Sequence, residues 1–543
     1  MSTLTGTPRL IRLALRRDRI LLPVWILSIA GLASASIASV FSLYATDADR
    51  LAGAQFSAAN PMTRVFDGPA SGTTIGAMAI VEAYKVLAIL VALMSSQAVV
   101  RHTRQDEETG RAELLGSAVV GRHARLTAAL VLTFTADIAL GLTIAALLRA
   151  RGLPLDGSLA TALAVAGVGA VFAGVAAVTT QIASTARAAT SAAAGVLGIA
   201  FVLRAVGDSL GHVTTGGTTL VSAWPSWLSP FGWGQQVRPF AQDNWAVGGL
   251  FAGCTLLLVV TAVILTGHRD LGAGMIPARS GPAHASRSLR TPLGLAWRLQ
   301  RTGLLTWVVA LGVAGVSFGA VGTSVEEILG ENSQMADVFR QGTDGGSMVD
   351  LYFTFMVAFI GIAAGACTLQ ALLRMRAEEV AGRLEPVLAT PLGRRRWLAG
   401  HVLIAAGGTT AAMLVSELGA GLVYGALSGD WKTGLSGPVT GALVQVPAAL
   451  ALGGLVIALV GLLPRWSGAL AWAALAASLV MGQLGALFRL PQGVLNLSPF
   501  THVPRIPAEP FTATPVLALL AAAVVLAAVG FTAFRRRDLA IGA

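Results

Sequence analysis

The most constraining feature of the chain is a series of apolar runs of 20 or more residues that recurs along its whole length. Each run is long enough for a helix to cross the ~30 Å hydrocarbon core of a bilayer, and far longer than a barrel strand needs to be. Only 12% of the 543 residues are charged, which is about half the share found in soluble domains. The sequence therefore predicts an all-α polytopic membrane protein.

Twelve transmembrane helices can be placed on these runs, six in each half of the chain. They cover residues 20–44, 75–100, 126–148, 159–182, 188–206, 245–265, 304–325, 348–373, 398–423, 439–463, 468–487 and 515–534. Most of the 38 Lys and Arg residues lie before the first run, after the last, and in every second loop. Because cytoplasmic loops carry an excess of Lys and Arg, we predict a multi-pass protein of the bacterial plasma membrane with both termini cytoplasmic. Residues 7–19 are predicted to form an amphipathic helix on the same surface.

A stretch of 19 residues occurs twice in the chain, 272 positions apart and without a gap. The first repeat segment is residues 104–122, and the second repeat segment is residues 376–394. Seven positions are identical, and all are charged residues or glycine, so shared hydrophobicity does not account for the match. The pairs are Arg104/Arg376, Glu107/Glu379, Gly110/Gly382, Arg111/Arg383, Glu113/Glu385, Gly121/Gly393 and Arg122/Arg394.

Further matches extend the duplication to most of the chain. Leu228-Ser-Pro-Phe231 matches Leu497-Ser-Pro-Phe500, and Arg269-Asp-Leu271 matches Arg537-Asp-Leu539. These matches have offsets of 269 and 268 residues, close to the 272 of the repeat segments, and such a recurring spacing indicates a duplicated architecture. We predict two parallel six-helix repeats, residues 1–271 and 291–543, joined by a cytoplasmic linker at 272–290, with a translocation path between them.

The repeat segments have the pattern of a short docking helix. Glutamate precedes arginine by four positions at Glu107 and Arg111 and again at Glu379 and Arg383, a spacing that favours helix. Beyond the glycines at 110 and 382 follow short amphipathic pieces, with Glu113 and Glu385 near their starts and with apolar residues at Leu114, Leu115, Val387 and Leu388. Such a helix can bury a few apolar side chains in a partner's groove and surround them with charge. The alternative is a solvated loop whose arginines reflect only the excess of positive charge on cytoplasmic loops.

Here the sequence resembles a known family. Glu-Glu-x-x-Gly-Arg-x-Glu between the second and third spans of a six-span unit, followed by Pro391-Leu-Gly-Arg394 in the second copy, is similar to the first cytoplasmic loop of type-2 ATP-binding-cassette (ABC) exporter permeases. The fused two-half form, with Val237-Arg-Pro-Phe240 before the sixth span, resembles actinobacterial polyketide-antibiotic and drug exporter permeases. The resemblance implies coupling helices that dock on two copies of a cytoplasmic ATPase subunit. It also implies outward transport of a hydrophobic or amphipathic compound. Val119 stands where the second copy has Pro391, so we expect the two docking sites to be unequal.

Residues that would bind a nucleotide are absent from the sequence. A P-loop needs a lysine after its glycines, and the only lysines, Lys85 and Lys432, follow no such pattern. We therefore expect a transport subunit that is not itself an enzyme and binds no cofactor, with ATP and Mg²⁺ on the partner subunit. The two cysteines, Cys254 and Cys367, lie in apolar runs, and the seven histidines are scattered, so neither a metal site nor a catalytic group is predicted.

Ionisable residues inside predicted spans are candidates for the translocation path. They are Glu82, Lys85, Asp137 and Glu417. Glu82 and Lys85 share one helix face and could instead neutralise each other, and Asp137 could instead make a buried structural hydrogen bond. These residues also support an alternative function, a proton-coupled 12-span secondary transporter. A repeat segment of this length that is acidic as well as basic argues against that class, whose corresponding loop is usually short and strongly basic.

Overall fold

The structure is a computed structural model that describes residues 2–59, 61–69, 71–214, 216–270, 272–276, 281, 283–323, 325, 347–483 and 491–539. The chain divides into two compact units, unit 1 from Met1 to Gly281 and unit 2 from Pro282 to Ala543. The boundary falls inside the predicted linker 272–290. Each unit has its own apolar core, built from helices in contact along their length.

Unit 1 begins with the amphipathic helix and then alternates long apolar helices with short connecting ones. Its helices are α1 (Thr7–Arg17), α2 (Leu21–Leu43), α3 (Asp47–Ala59), α4 (Pro61–Phe66), α5 (Ile75–His102), α6 (Arg104–Glu108), α7 (Arg111–Gly116), α8 (Ala124–Ala150), α9 (Leu155–Ile182), α10 (Ala186–Ser209), α11 (Pro230–Gln236) and α12 (Val247–Gly267). Two short antiparallel strands, His212–Val213 and Leu220–Val221, and a 3₁₀ helix, Trp224–Leu228, lie between α10 and α11.

Unit 2 repeats the alternation, with fewer short helices among its described residues. Its helices are α13 (Pro292–Gly322), α14 (Met348–Val380), α15 (Leu384–Leu388), α16 (Arg394–Ser428), α17 (Trp431–Leu462), α18 (Ser467–Gln483), α19 (Gln492–Leu495) and α20 (Ala513–Arg536). Two 3₁₀ helices, Arg287–Arg290 and Pro499–His502, complete it. The second and fourth long helices are the most buried in both units: α5 and α9 in unit 1, α14 and α17 in unit 2.

Local sequence signals set where several of these helices begin. The Thr74 hydroxyl accepts a hydrogen bond from the Ala77 backbone N–H at the start of α5, and Thr185 does the same for Ala188 at the start of α10. Ser347 and Asp350 form a reciprocal capping box before α14. Each cap satisfies backbone donors that would otherwise lack partners in the first helical turn.

Eleven helices in the described part of the chain are long and apolar enough to cross a membrane, which confirms an all-α polytopic membrane protein. The eleventh predicted span, 468–487, corresponds to the shorter apolar helix α18, and residues 484–487 lie outside the described residues. The seventh predicted span begins twelve residues later than the helix does. In unit 2 the polar residues before the span and the span itself form one helix, α13. In unit 1 the corresponding residues form two helices, α1 and α2, with a break in helical structure between them.

Candidate functional site

Both repeat segments change direction at a glycine. Gly110 has φ +72° between α6 and α7, and Gly382 has φ +69° between α14 and α15. This left-handed conformation is costly for residues with a Cβ and easy for glycine. Each glycine ends a helix that emerges from the membrane-spanning part and starts a short helix in a new direction. The predicted bend is therefore present in both segments.

A buried cluster of two arginines and one glutamate ties the first repeat segment to the end of unit 1. Arg269, two residues beyond α12, donates two hydrogen bonds to the Glu107 carboxylate, at 2.8 Å and 2.7 Å. Arg104 donates a third at 2.5 Å. Arg269 also donates to the Gln181 side chain near the end of α9, at 2.6 Å. A carboxylate that accepts bidentate bonds from a guanidinium is held in position as well as neutralised.

Unit 2 contains the same cluster at the matched positions. Arg537, directly after α20, donates two hydrogen bonds to Glu379, one of them at 2.7 Å. Arg376 lies 3.1 Å from the same carboxylate. The Glu379 side chain is 1% exposed and that of Glu107 is 4% exposed. We call the two groups the Arg–Glu–Arg clusters; the first is Arg104, Glu107 and Arg269, and the second is Arg376, Glu379 and Arg537.

Arg269 and Arg537 were not among the residues that the sequence predicted for the site. The signal was present, because both belong to the duplicated Arg-Asp-Leu motif, but a motif after the last span gives no indication of which residue it contacts. The structure gives both arginines a partner in the repeat segments. They extend the candidate site to the residues that follow the sixth long helix of each unit.

The arginine that ends each repeat segment makes a second duplicated contact. Arg122 donates a 2.7 Å hydrogen bond to the carbonyl of Gly267, the last residue of α12. Arg394 donates to the carbonyls of Phe534 and Arg537 at the end of α20, at 3.3 Å and 2.6 Å. Carbonyls in the last helical turn lack intrahelical donors, and a cation there also meets the negative end of the helix dipole. Both ends of each repeat segment are thus bonded to the end of one helix.

The predicted helical pairs between Glu107 and Arg111 and between Glu379 and Arg383 do not form. The Arg111 guanidinium lies 3.8 Å from Asp106, and Arg383 makes two hydrogen bonds to Glu378, at 2.7 Å and 3.1 Å. The physical reason is the glycine bend, which ends the helix between each glutamate and its arginine and removes the shared face. Asp106 and Glu378 are themselves matched positions, so this pairing is also duplicated. The hydrogen bond to Glu378 raises the pKa of Arg383 further.

The short helices α7 and α15 bury one matched position each, Ala112 and Leu384. Their glutamates, Glu113 and Glu385, are exposed and form no ion pair among the described residues. Leu114, predicted for the apolar side, is 76% exposed. Leu115, Val387 and Leu388 are half-buried and pack against neighbouring apolar clusters. Each short helix therefore presents one charged, open face beside an anchored face.

In unit 1 the first repeat segment has an additional support. Arg17 of α1 forms a bidentate ion pair with Asp106, at 2.7 Å and 3.1 Å. The backbone N–H groups of Gly121 and His123 donate to the carbonyls of Thr5 and Thr3, at 2.8 Å and 3.0 Å. A cavity of about 310 Å³ lies behind α7, lined by residues that include Glu107, Arg122, Arg125 and Arg269. The two segments thus share their glycine bend and clusters but differ in what surrounds them.

One of the intramembrane charges, Lys85, has a partner other than the expected one. Lys85 pairs with Asp67, which lies between α4 and α5, and does not pair with Glu82. Glu82 is half-buried on α5. Glu417 is 2% exposed on α16. Mutual neutralisation of Glu82 and Lys85 is therefore not what the structure has, because the loop before α5 supplies a closer carboxylate.

Asp137 is 1% exposed at a contact of three helices. It accepts a 2.6 Å hydrogen bond from Ser95 of α5, and a Cβ added at Gly169 of α9 would lie 2.6 Å from its Cγ. Thr409, the residue 272 positions later, is also buried and bonds Thr368 at 2.7 Å. Asp137 lines none of the cavities found in the described residues. In this conformation it makes the buried hydrogen bond that the sequence left as the alternative, and its role in a path remains a prediction.

Two comparisons with known proteins bear on this architecture. Residues 289–535 match the family described as the C-terminal domain of the multidrug efflux system permease Rv1217c. Over 538 residues, the chain is 41% identical to the multidrug efflux system permease protein Rv1217c of Mycobacterium tuberculosis, and the alignment covers 99% of this chain and 96% of the relative. The resemblance to actinobacterial exporter permeases is confirmed, and the proton-coupled carrier is not favoured. The chain belongs to the family of the multidrug efflux system permease Rv1217c.

Proposed function

We propose that this permease is the transmembrane subunit of an ABC exporter. Its two units would move a hydrophobic or amphipathic compound outward, powered by ATP hydrolysis on two copies of a separate cytoplasmic subunit. The 41% identical relative from Mycobacterium tuberculosis is a multidrug efflux permease, which supports a drug-like substrate class. The arginine distribution supports a cytoplasmic position for both repeat segments.

The observation that carries the proposal is the pair of short helices with exposed glutamates, each held by an Arg–Glu–Arg cluster. An anchored helix with an open charged face can bind a partner without losing its own position. The chain joins each such helix directly to a long helix on either side, α5 and α8 in unit 1, α14 and α16 in unit 2. Movement of a bound ATPase would therefore reach two membrane helices in each unit.

The energetic link requires that the ATPase bind the repeat segments differently in its nucleotide states. A ligand shifts a conformational equilibrium only by its differential affinity for the two states. The clusters extend the link to α12 and α20, because Arg269 and Arg537 follow these helices directly. Mg²⁺ and ATP would be held by the partner subunit, and this chain would contribute docking and helix movement.

The test is reconstitution with and without the ATPase subunit. The purified permease alone is expected to show no ATP hydrolysis. The co-expressed pair is expected to co-purify and, in inside-out liposomes whose ATPase face is outside, to move a fluorescent amphipathic dye into the lumen only when ATP is added to the outer solution. Transport by the permease alone, driven by a proton gradient and insensitive to ATP, would overturn the proposal.

A further inference from the structure

A second cavity in unit 1 borders the first repeat segment at Gln105 and shares no lining residue with the cavity behind α7. It has a volume of about 340 Å³ and lies between the start of α2, the last turns of α5 and the start of α10. One wall is apolar and includes Leu22, Trp25 and Met94. The other is polar and includes Arg101 and Arg187. The cavity therefore offers two different environments a short distance apart.

Its position in the fold coincides with the edge of the apolar spans. The membrane-spanning part of α2 begins at Leu21, and the apolar part of α5 gives way to Arg101 in its last turn. Tryptophan is enriched at the level of lipid headgroups, where one end of the ring is apolar and the other wet. The apolar wall, with Trp25, thus faces the acyl-chain depth, and the arginine wall lies at the headgroup depth.

The charges that face the cavity sum to an excess of positive charge. Asp18 is the only acidic residue in its lining. The Asp18 carboxylate is already engaged by His102, whose Nε2 lies 2.6 Å away, and by Arg101 at 3.2 Å. The Arg187 side chain is exposed and forms no ion pair among the described residues. At the start of α10 the Ala186 N–H already donates to the Glu108 carboxylate, at 2.8 Å, so the Arg187 side chain is the charge available to a ligand there.

We propose that this cavity binds the phosphate headgroup of an anionic phospholipid, with the first part of an acyl chain against Leu22, Trp25 and Met94. Arg187 would contact the phosphate. The site is expected in unit 1 only, because its lining includes Asp18 at the break between α1 and α2, whereas α13 of unit 2 has no such break. The proposal does not depend on which partner drives transport.

The experiment measures which lipids stay bound to the full chain. The protein is released from nanodiscs of equal phosphatidylglycerol and phosphatidylcholine and its retained lipids are counted by native mass spectrometry. The parent is expected to retain phosphatidylglycerol preferentially. Arg187→Gln is expected to lower that retention about fivefold, the effect of one arginine near a lipid surface. Gln105→Glu, which adds a negative charge to the lining, is expected to lower it as well.

The matched control is Arg16→Gln, which removes the same charge from an exposed position of α1 outside the cavity. It is expected to leave retention unchanged. Equal losses in Arg16→Gln and Arg187→Gln, or no loss in Arg187→Gln and Gln105→Glu, would overturn the proposal. A second arm separates lipid from free anion: inorganic phosphate should not raise the melting temperature of the parent in phosphatidylcholine, whereas phosphatidylglycerol should. Equal stabilisation by both would overturn the assignment to a lipid.

Discussion

Glu107 and Arg269 form a bidentate ion pair across 162 residues of sequence, and it fastens the first repeat segment to the end of α12. Glu379 and Arg537 form the same pair in unit 2, across 158 residues. Both pairs are shielded from water, where charge-assisted hydrogen bonds are strongest. In each unit, this contact joins a loop to the end of a long helix through two charged side chains.

Substitution of one arginine of a cluster should weaken the attachment of the repeat segment to the helix end without detaching the segment completely. Arg269→Gln leaves Glu107 with Arg104 as its partner and loses two charge-assisted hydrogen bonds, each worth roughly 1.5–3 kcal/mol. We expect ATP-driven efflux to fall at least tenfold while the protein still inserts and co-purifies with its ATPase.

The matched variant Arg537→Gln should behave alike, and the control is Arg290→Gln, which removes an arginine that the structure places in neither cluster. ATP-driven dye uptake into everted vesicles, which is the export direction, and melting temperature are measured together. If both cluster variants pump at the parental rate, the clusters do not transmit the movement of the segments.

Substitutions of Asp137 can distinguish a structural role of this residue from a role in the translocation path. Asp137→Asn keeps an acceptor for the Ser95 hydroxyl, so transport within about twofold of the parent and a nearly unchanged melting temperature are expected, since one neutral hydrogen bond is worth about 1 kcal/mol. Asp137→Leu loses that bond and presses on Gly169, so both quantities should fall. The readouts are dye efflux and thermal unfolding in detergent.

Loss of transport in Asp137→Asn with an unchanged melting temperature would contradict the structural role. It would instead support the path-lining role that the sequence predicted for this residue. Ser95→Ala serves as the control, because it removes the hydrogen bond and keeps the carboxylate.

Asp18 gives the stability of unit 1 a dependence on pH. Burial acts to raise the pKa of Asp18, but the hydrogen bond with His102 and the charges of His102, Arg101 and Arg17 outweigh it, and the pKa lies below the usual value. A lowered folded-state pKa contributes stability that is present above the unfolded pKa of about 3.9 and is lost as pH falls through the folded value.

Asp18→Asn should therefore destabilise the protein near neutral pH, because it removes the buried carboxylate that Arg101 and His102 contact. The difference from the parent should shrink as pH falls below about 4, where the parent carboxylate also becomes protonated. Thermal unfolding across this range measures it. A difference that stays constant from pH 7 to pH 3 would contradict an ionised Asp18.

Much of the fold follows from the apolar runs, because a helix is the one spanning structure that satisfies its own backbone. The run 75–100 predicts α5 to within two residues of its described end, and the polar repeat segments fall where the spans stop. The duplication also includes Arg269 and Arg537, since Arg-Asp-Leu recurs, but the recurrence does not show which residues they contact. A contact across 162 residues depends on how the helices pack, which a linear pattern does not contain.

Two pairings that the sequence spacing suggested, one of them only as an alternative, do not form in the structure. Glu107 and Arg111 have the spacing of a helical pair, but the left-handed Gly110 separates them. Glu82 and Lys85 share a helix face, yet Asp67 from the preceding loop pairs with the lysine. In both cases a tertiary partner or one backbone torsion outweighed an interaction worth only a few tenths of a kcal/mol.

The account rests on the claim that α7 and α15 dock on a separate ATPase, and charge reversal of their exposed glutamates tests it. Glu113→Lys and Glu385→Lys should leave folding intact, because both side chains are in water and make no ion pair among the described residues. A like charge that faces an interface charge can cost several kcal/mol, so association with the ATPase and efflux should both fall.

The most direct measurement is the amount of ATPase subunit that co-purifies with each variant, with ATP-driven efflux recorded on the same preparations. Asp156→Lys, a charge reversal at an exposed position at the far end of unit 1, is the control and should assemble normally. The account predicts that Glu113→Lys and Glu385→Lys each lose most of the bound ATPase and most of the efflux. Parental assembly and efflux in both variants would contradict it.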